Sequence, residues 1–178
     1  MTACVLEDSR SDRLRVVCNK FDFDNPLMDP KTLEQDLKDS MVHHRGIGIS
    51  ACQVGLMTRV FAVGDPSNPE DIVVMFNPNI VDASDEYHLI EEGCLSFPGL
   101  FIKIKRPATV RVRYANADGK IITESYEGIP ARAILHEYDH LDGITFQSRA
   151  NMVHLDQAKR QKKKLDKARL RNSGRSRR

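Results

Sequence analysis

The residues best suited to chemistry in this chain stand together at His136-Glu137-Tyr138-Asp139-His140. In an α-helix, side chains four positions apart leave the same face, so the two imidazoles could bind one metal ion with Glu137 beside them. The same residues would also suit the polar, solvated face of an ordinary helix. The pentad alone therefore leaves both interpretations open.

A metal held by two histidines needs a third protein ligand. In metallopeptidases with this helix motif, the third ligand is a histidine or a glutamate further along the chain. Here Phe146 occupies the position of that histidine, and no glutamate follows Glu137. Upstream, Cys94 lies in a loop of glycine and polar residues. On its own Cys94 would be read as a small buried hydrophobe; beside the helix motif we predict it to be the third ligand. A thiolate and two imidazoles leave one position of a tetrahedral ion open, which is typical of catalytic sites.

A second unusual stretch, residues 46–55, is rich in small residues and contains Gly46, Gly48 and Gly55. Two glycines separated by one residue could cradle a phosphate, but the third glycine and the following βαβ pattern of a dinucleotide site are missing. We therefore favour close approach of this backbone to another group.

These residues must be positioned by helices and strands that the pattern also predicts. An amphipathic helix begins with Asp29 as N-cap and Pro30 at its first position, and apolar residues follow at helical spacing: Leu33, Leu37 and Met41. Strand-like runs cover 58–63, 72–76, 86–90, 109–114 and 121–126. Strands followed by helices predict an α+β fold, with mostly antiparallel sheets around a central H-E-x-x-H helix and a C-terminal helix.

The helix that carries the pentad is predicted to start near Pro130 and to end at Gly143. The last helix is predicted over about 151–170. We expect one catalytic domain over residues 1–170 and a disordered basic tail over 171–178.

Charge, cysteine content and apolar runs limit the class of protein further. The chain has 178 residues and a formal charge of +2, but lysines and arginines crowd its carboxyl end. Its four cysteines, Cys4, Cys18, Cys52 and Cys94, form no C-x-x-C pair, so we expect free thiols. Short apolar runs and an acidic amino-terminal stretch predict no membrane span and no signal peptide, hence a cytoplasmic protein.

Three motifs, in this order along the chain, resemble those of the peptide deformylase family. They are the glycine-rich segment 46–53, the segment Glu92-Gly93-Cys94-Leu95-Ser96 and the pentad 136–140. The similarity extends to residues 12–15 and to the basic terminal helix, so it covers nearly the whole chain.

The resemblance implies an enzyme that removes formyl groups from N-formyl-methionyl peptides. Cys94, His136 and His140 would hold one divalent metal ion, Fe2+ in the native enzyme with Zn2+, Ni2+ or Co2+ as substitutes. Glu137 would take a proton from the attacking water and pass it to the departing amine. The side chain of Gln53 and the backbone N–H of Leu95 would stabilise the oxyanion.

Substrate-binding residues also follow from the resemblance. The backbone of Gly48 would pair with the substrate main chain, and a slot for the methionine side chain would be lined by Ile47, Ile90, Ile129 and the stem of Arg132. For the three isoleucines, plain core is an equal alternative. Glu92, Asp139 and Arg106 would orient the histidines or lock the loop, although a surface ion pair is an equal alternative.

The chain departs from the family pattern at a few positions. Ser50 and Cys52 replace an alanine and a variable small residue, and Phe101 stands where some members carry an arginine that meets the substrate backbone. The basic terminal helix could dock on the ribosome, as it does in bacterial members, or could be a solvated tail without a partner.

Two rival functions remain at this point. An H-E-x-x-H endopeptidase would not need Cys94 for its metal. A nucleic-acid or ribosome-binding module would hold its metal only for structure, in a site without an open coordination position and without need of Glu137.

Overall fold

The computed structural model describes residues 4–175, with side chains described as far as residue 170. Over these residues the helices are α1 (Pro30–His44), α2 (Gly128–Leu141) and α3 (Met152–Arg175). The strands are β1 (Gly48–Ser50), β2 (Val60–Val63), β3 (Val73–Ala83), β4 (Tyr87–Glu92), β5 (Ile102–Pro107), β6 (Thr109–Ala115) and β7 (Ile121–Glu127).

The strands form two antiparallel sheets. One sheet has five strands in the order β1-β2-β3-β6-β7, and the other pairs β4 with β5. Helix α2 contacts β1 and β2 at one end of the larger sheet, β6 and β7 at the other, and β5 of the smaller sheet. The predicted α+β fold around a central H-E-x-x-H helix is therefore confirmed.

Helix α1 forms where its caps and its apolar stripe predict it. The Asp29 carboxylate accepts a hydrogen bond from the Thr32 backbone N–H at 2.9 Å, which satisfies one of the free donors of the first turn. Leu33, Leu37 and Met41 are at most 1% exposed and pack against the larger sheet. This packing fixes the backbone immediately before β1.

Strand β3 continues through a segment that the sequence predicts to break it. The run was expected to stop at Phe76 because Asn77 and Pro78 follow, but Asn77 takes a left-handed conformation with φ 49° and the strand resumes after a shift of register. The Asn77 side chain accepts from the backbone N–H of Phe21 at 2.7 Å and donates to its carbonyl at 2.9 Å. These two bonds stabilise the bulge.

Helix α3 extends to Arg175, five residues beyond its predicted end. Residues 176–178 lie outside the described part, so the division into a domain over 1–170 and a tail over 171–178 stays a prediction. None of the described helices combines the length and the apolar character that crossing a membrane requires.

Candidate metal centre and active site

Helix α2 places two histidines on one buried face. Ala131, Ile134 and Leu141 are fully buried and fix this helix against the larger sheet. His136 is 7% exposed and His140 1%, and their ring centroids lie 5.1 Å apart. The predicted spacing therefore does bring both imidazoles to one point.

Cys94 reaches the same point from the loop that follows β4. Its Sγ lies 3.3 Å from His140 Nε2, and one ligand atom each from Cys94, His136 and His140 all lie within 4.8 Å of one another. A tetrahedral ion with these ligands, bound at about 2.0–2.3 Å, separates its ligand atoms by roughly 3–4 Å. The arrangement is compatible with one ion and a fourth, open position.

The surroundings of the two imidazoles also suit a cation. His136 Nδ1 lies 3.1 Å from Glu92 Oε2, which leaves Nε2 for a metal. Burial lowers the pKa of His136, but contacts with the Cys94 sulfur and with Glu92 outweigh it and raise the pKa to about 10, so the surroundings favour positive charge here. Burial and the charge of His136 lower the pKa of His140 to about 3, which keeps that ring neutral and able to coordinate.

Arg106 of β5 joins the smaller sheet to the histidines. Its guanidinium donates to Glu92 through Nε at 2.6 Å and Nη2 at 3.0 Å, and to Asp139 through Nη1 at 2.8 Å. Burial opposes ionisation of Glu92, but hydrogen bonds with His136 and Arg106 prevail and lower its pKa to about 2. The alternative of a surface ion pair is excluded for Arg106, Glu92 and Asp139, since all three are at least 94% buried.

Two more arginines complete this network, the buried Arg132 and the half-exposed Arg149. Arg132 donates to Glu92 at 2.6 Å and to the backbone carbonyls of Ile104 and His88, so both of its Nη atoms are engaged. Arg149 donates to Asp139 Oδ1 at 2.5 Å. Glu92 therefore orients His136 directly, whereas Asp139 acts on the network through arginines.

Ser50 and Gly48 determine where the Glu137 carboxyl lies beside the histidines: Ser50 binds it, and Gly48 leaves room for it. Glu137 is 4% exposed, and burial raises the pKa of its carboxyl. The Ser50 hydroxyl lies 2.7 Å from Glu137 Oε2 and 3.0 Å from the Glu137 carbonyl oxygen. A Cβ at Gly48 would lie only 2.6 Å from Glu137 Oε1, so the glycine leaves the space that this carboxyl fills.

Gln53 presents its amide nitrogen to Cys94. The Gln53 carbonyl oxygen accepts from the Ser50 backbone N–H at 2.9 Å, which directs Nε2 towards Cys94 Sγ at 3.5 Å and Ser96 Oγ at 3.2 Å. Within the described residues the backbone N–H of Leu95 donates to no protein acceptor. The Leu95 N–H is thus available next to the cysteine, whereas the two hydrogens of Gln53 Nε2 already point at Cys94 and Ser96.

A cavity of about 450 Å³ opens onto Cys94, His136 and Glu137. Four of the five predicted substrate-binding residues line it: Ile47, Gly48, Ile129 and Arg132. Ile90 is absent from its lining and is 36% exposed on β4. Phe101 lies at the cavity, 57% exposed, with its ring against Gly93.

Comparison with known proteins decides the family. The sequence profile of polypeptide deformylases matches residues 5–156, most of the chain. The chain belongs to the polypeptide deformylase family. Membership confirms the resemblance drawn from the three motifs and the expectation of an enzyme.

Individual deformylases agree with this assignment. A peptide deformylase of Novosphingobium aromaticivorans is 35% identical over 182 residues, covering 90% of this chain and 94% of that protein. A crystal structure of a peptide deformylase from Legionella pneumophila has a TM-score of 0.83 at 27% identity, covering 96% of this chain and 99% of that one. A Met-Ala-Ser-bound class I type b peptide deformylase from Acinetobacter baumannii has a TM-score of 0.76 at 31% identity, covering 83% and 98%.

Some residues at this deformylase-like site were missed by sequence reasoning. Ala133 and Arg45 line the cavity, and Arg149 fixes Asp139. Ala133 follows Arg132 on the helix face that also carries Ile129, so helical spacing could have identified it. No local pattern marks Arg45 or Arg149, because their positions depend on how separate elements pack.

Proposed function

We propose that this chain hydrolyses the formyl amide of N-formyl-methionyl peptides and releases formate. The observation that carries the proposal is the convergence of Cys94, His136 and His140 beside the buried Glu137, at a cavity open to a peptide. The tripeptide in the Acinetobacter baumannii structure begins with methionine, the residue that deformylation exposes, and supports the same substrate class.

One divalent ion is proposed to be held by Cys94, His136 and His140, with Fe2+ as the native ion and Zn2+, Ni2+ or Co2+ as substitutes. A thiolate and two imidazoles suit all four of these ions. When bound, such an ion supplies Lewis acidity, which polarises the formyl carbonyl and acidifies the attacking water. Everything else in the reaction is proposed to come from the protein's own side chains and backbone.

Glu137 is proposed to be the general base and then the general acid. Its carboxylate takes a proton from the water that attacks the formyl carbon. When the C–N bond breaks, the same carboxyl gives this proton to the departing amine of methionine. Burial favours this second role, because it raises the affinity of the carboxyl for a proton.

The oxyanion that forms during attack is proposed to be stabilised by Gln53 Nε2 and the Leu95 backbone N–H. The Ser50–Gln53 hydrogen bond supports this assignment because it fixes the amide before substrate arrives. Loss of one such donor typically costs about 2.7–4 kcal/mol of transition-state stabilisation.

The methionine side chain is proposed to enter the cavity between Ile47 and Ile129, over the stem of Arg132. Strand β1 is the edge of its sheet and begins beside this cavity, so the substrate backbone can pair with Gly48 as an added strand. Because Ile90 does not line the cavity, its role in the slot has no support from the lining residues.

Formate release from formyl-Met-Ala-Ser by metal-loaded protein tests the proposal. Glu137→Gln should lower kcat by about 10²–10⁴-fold while retaining the metal. Glu70→Gln, which changes an exposed carboxylate in the turn Pro69–Asp71, is the matched control and should leave kcat unchanged. A metal-loaded wild-type protein that releases no formate would overturn the assignment.

The endopeptidase alternative is tested in the same experiment. Cys94→Ala should remove the metal under our proposal, since the sulfur is a ligand, and should not do so if the helix motif acts with a ligand from elsewhere. Metal content measured after gel filtration separates the two. Cleavage of an internal peptide bond in the unformylated peptide would favour the endopeptidase.

We also propose that α3 docks on the ribosome and that the protein works in the cytoplasm, where formylated chains emerge. Exposed cations cover α3: Lys159, Arg160, Lys163, Lys164 and Lys167. Electrostatic binding to rRNA should weaken as salt rises. Co-sedimentation with ribosomes at about 50 and about 200 mM salt tests the docking. A Lys163→Glu/Lys164→Glu variant, measured in the same way, should bind less than the wild type.

A further inference from the structure

Two buried thiols that the proposed reaction does not use lie near each other in the core. Cys18 is 3% exposed and Cys52 0%, both pack in the same hydrophobic cluster between the larger sheet and α2, and each shifts the pKa of the other. The Cys18 backbone is fixed by its N–H, which donates to the Leu141 carbonyl at 2.8 Å, and Cys52 is fixed in the turn Ala51–Val54. Both are free thiols, so the pair is a reduced dithiol.

Cys18 is the member of the pair that a small oxidant can reach. It lines a second cavity of about 720 Å³, which shares no lining residue with the first and has cationic walls from Lys20, Arg59 and Arg113. Interaction with Cys52 and the charge of Arg59 hold the pKa of Cys18 below its ordinary value, against burial and against the Asp142 carboxylate, which pairs with Arg59 at 2.6 Å. A cationic wall beside a thiol favours its reactive thiolate.

Cys52 links this pair to the proposed catalytic centre. Its Sγ lies 3.6 Å from the His140 carbonyl oxygen, and the next residue is Gln53, whose amide lies 3.5 Å from Cys94 Sγ. A covalent bond at Cys52 would remove its contact with His140. It would also displace the short turn that positions Gln53.

We propose that Cys18 and Cys52 are a peroxide-sensitive dithiol whose oxidation to a disulfide reversibly lowers the activity of the neighbouring site. The loss of activity rests on the proposed deformylase function, whereas disulfide formation does not. Closing the bond requires the two sulfurs to approach to about 2.05 Å.

The chemistry balances with a hydroperoxide as the oxidant. The Cys18 sulfur attacks one peroxide oxygen, the S–O bond forms as the O–O bond breaks, and the departing hydroxide takes a proton to become water. The Cys52 sulfur then attacks the Cys18 sulfenic sulfur, the S–S bond forms, and the hydroxide released takes the Cys52 proton. Two thiols and one hydrogen peroxide give one disulfide and two waters.

Peptide mapping without reduction tests disulfide formation directly. Trypsin cuts around Cys18 to give residues 16–20 and around Cys52 to give residues 46–59. After nickel-loaded protein is treated with hydrogen peroxide and its free thiols are alkylated, we expect these two peptides joined, with a mass two hydrogens below their sum. Recovery of both as separate alkylated peptides would overturn the proposal.

Activity and matched variants test the consequence. Peroxide should lower formate release by about tenfold in wild type and in Cys4→Ser, which removes a thiol elsewhere, and dithiothreitol should restore it. Cys18→Ala and Cys52→Ala should lack the reversible part and keep only the irreversible loss from oxidation of Cys94. Equal, irreversible loss in all variants would refute the regulatory effect. If untreated protein releases no formate, the proposed function fails and peptide mapping alone still decides the disulfide.

Discussion

At the scale of single residues, Gly48 determines where the Glu137 carboxyl can lie. Gly48→Ala would place a methyl carbon 2.6 Å from Glu137 Oε1, so the carboxyl has to move. Because a displacement of about 1 Å can cost about 10²-fold in rate, we expect kcat/KM for formyl-Met-Ala-Ser to fall by about that factor with metal content unchanged. Steady-state kinetics and metal analysis measure both.

Gly46→Ala is the matched control for this substitution. Its added methyl would meet mainly the Leu95 side chain, at 2.7 Å, and the end of a leucine can shift. We expect a much smaller fall in kcat/KM than for Gly48→Ala. Equal losses in both variants would show that the backbone of the segment, not the position of Glu137, controls the rate.

Ser50 is expected to influence the proposed catalysis through its hydrogen bond to the Glu137 carboxylate. Burial raises the pKa of Glu137, and the hydrogen bond from Ser50 partly offsets this by favouring the ionised form. Ser50→Ala should therefore raise the pKa of the base, so the acidic limb of the pH profile of kcat/KM moves to higher pH. Ser40→Ala removes an equally buried serine in α1 and should leave the profile unchanged.

The spacing of His136, Glu137 and His140 was sufficient to predict that both imidazoles share a helix face. The same reasoning could not give Ser50 its contact with Glu137, because the two residues are 87 positions apart. From the sequence, Ser50 was only a departure from the family pattern, whereas in the structure its hydroxyl donates a hydrogen bond to the buried Glu137 carboxylate.

At the scale of elements, Arg106 ties β5 to β4 and to α2. Arg106→Ala would leave the Glu92 and Asp139 carboxylates buried and short of a partner. Breaking such a buried pair costs about 3–5 kcal/mol, so we expect the free energy of unfolding in urea to fall by that amount. Arg111→Ala removes an exposed arginine from β6 and should change stability by less than about 0.5 kcal/mol.

Elements with a clear periodic pattern were predicted better than the others. The caps and apolar stripe of α1 gave its start correctly. Strand β5 was missed although Ile102 and Ile104 alternate with exposed lysines, so its signal was present in the sequence. Strand β1 could not be identified in this way, because its three residues are all buried and carry no alternation.

At the scale of the whole molecule, the metal site joins segments that are distant in sequence. Cys94 and His140 are 46 positions apart, and they meet because the two-stranded sheet and α2 are held together by the Glu92–Arg106–Asp139 network. Neither spacing nor periodicity encodes such a contact. The need for a third metal ligand beside the two histidines predicted it, the family resemblance agreed, and the packing of the two sheets around α2 gives its physical basis.

A bound ion should therefore stabilise the whole fold, since it bridges the loop after β4 and helix α2. Binding to the native state alone adds about 4 kcal/mol when free metal exceeds its Kd about 1,000-fold. We expect a chelator to lower the Tm by several degrees and Zn2+ to restore it, as measured by differential scanning calorimetry. In Cys94→Ala neither treatment should change the Tm. A wild-type Tm that is insensitive to chelation would show that the ion, if bound, does not connect these two elements.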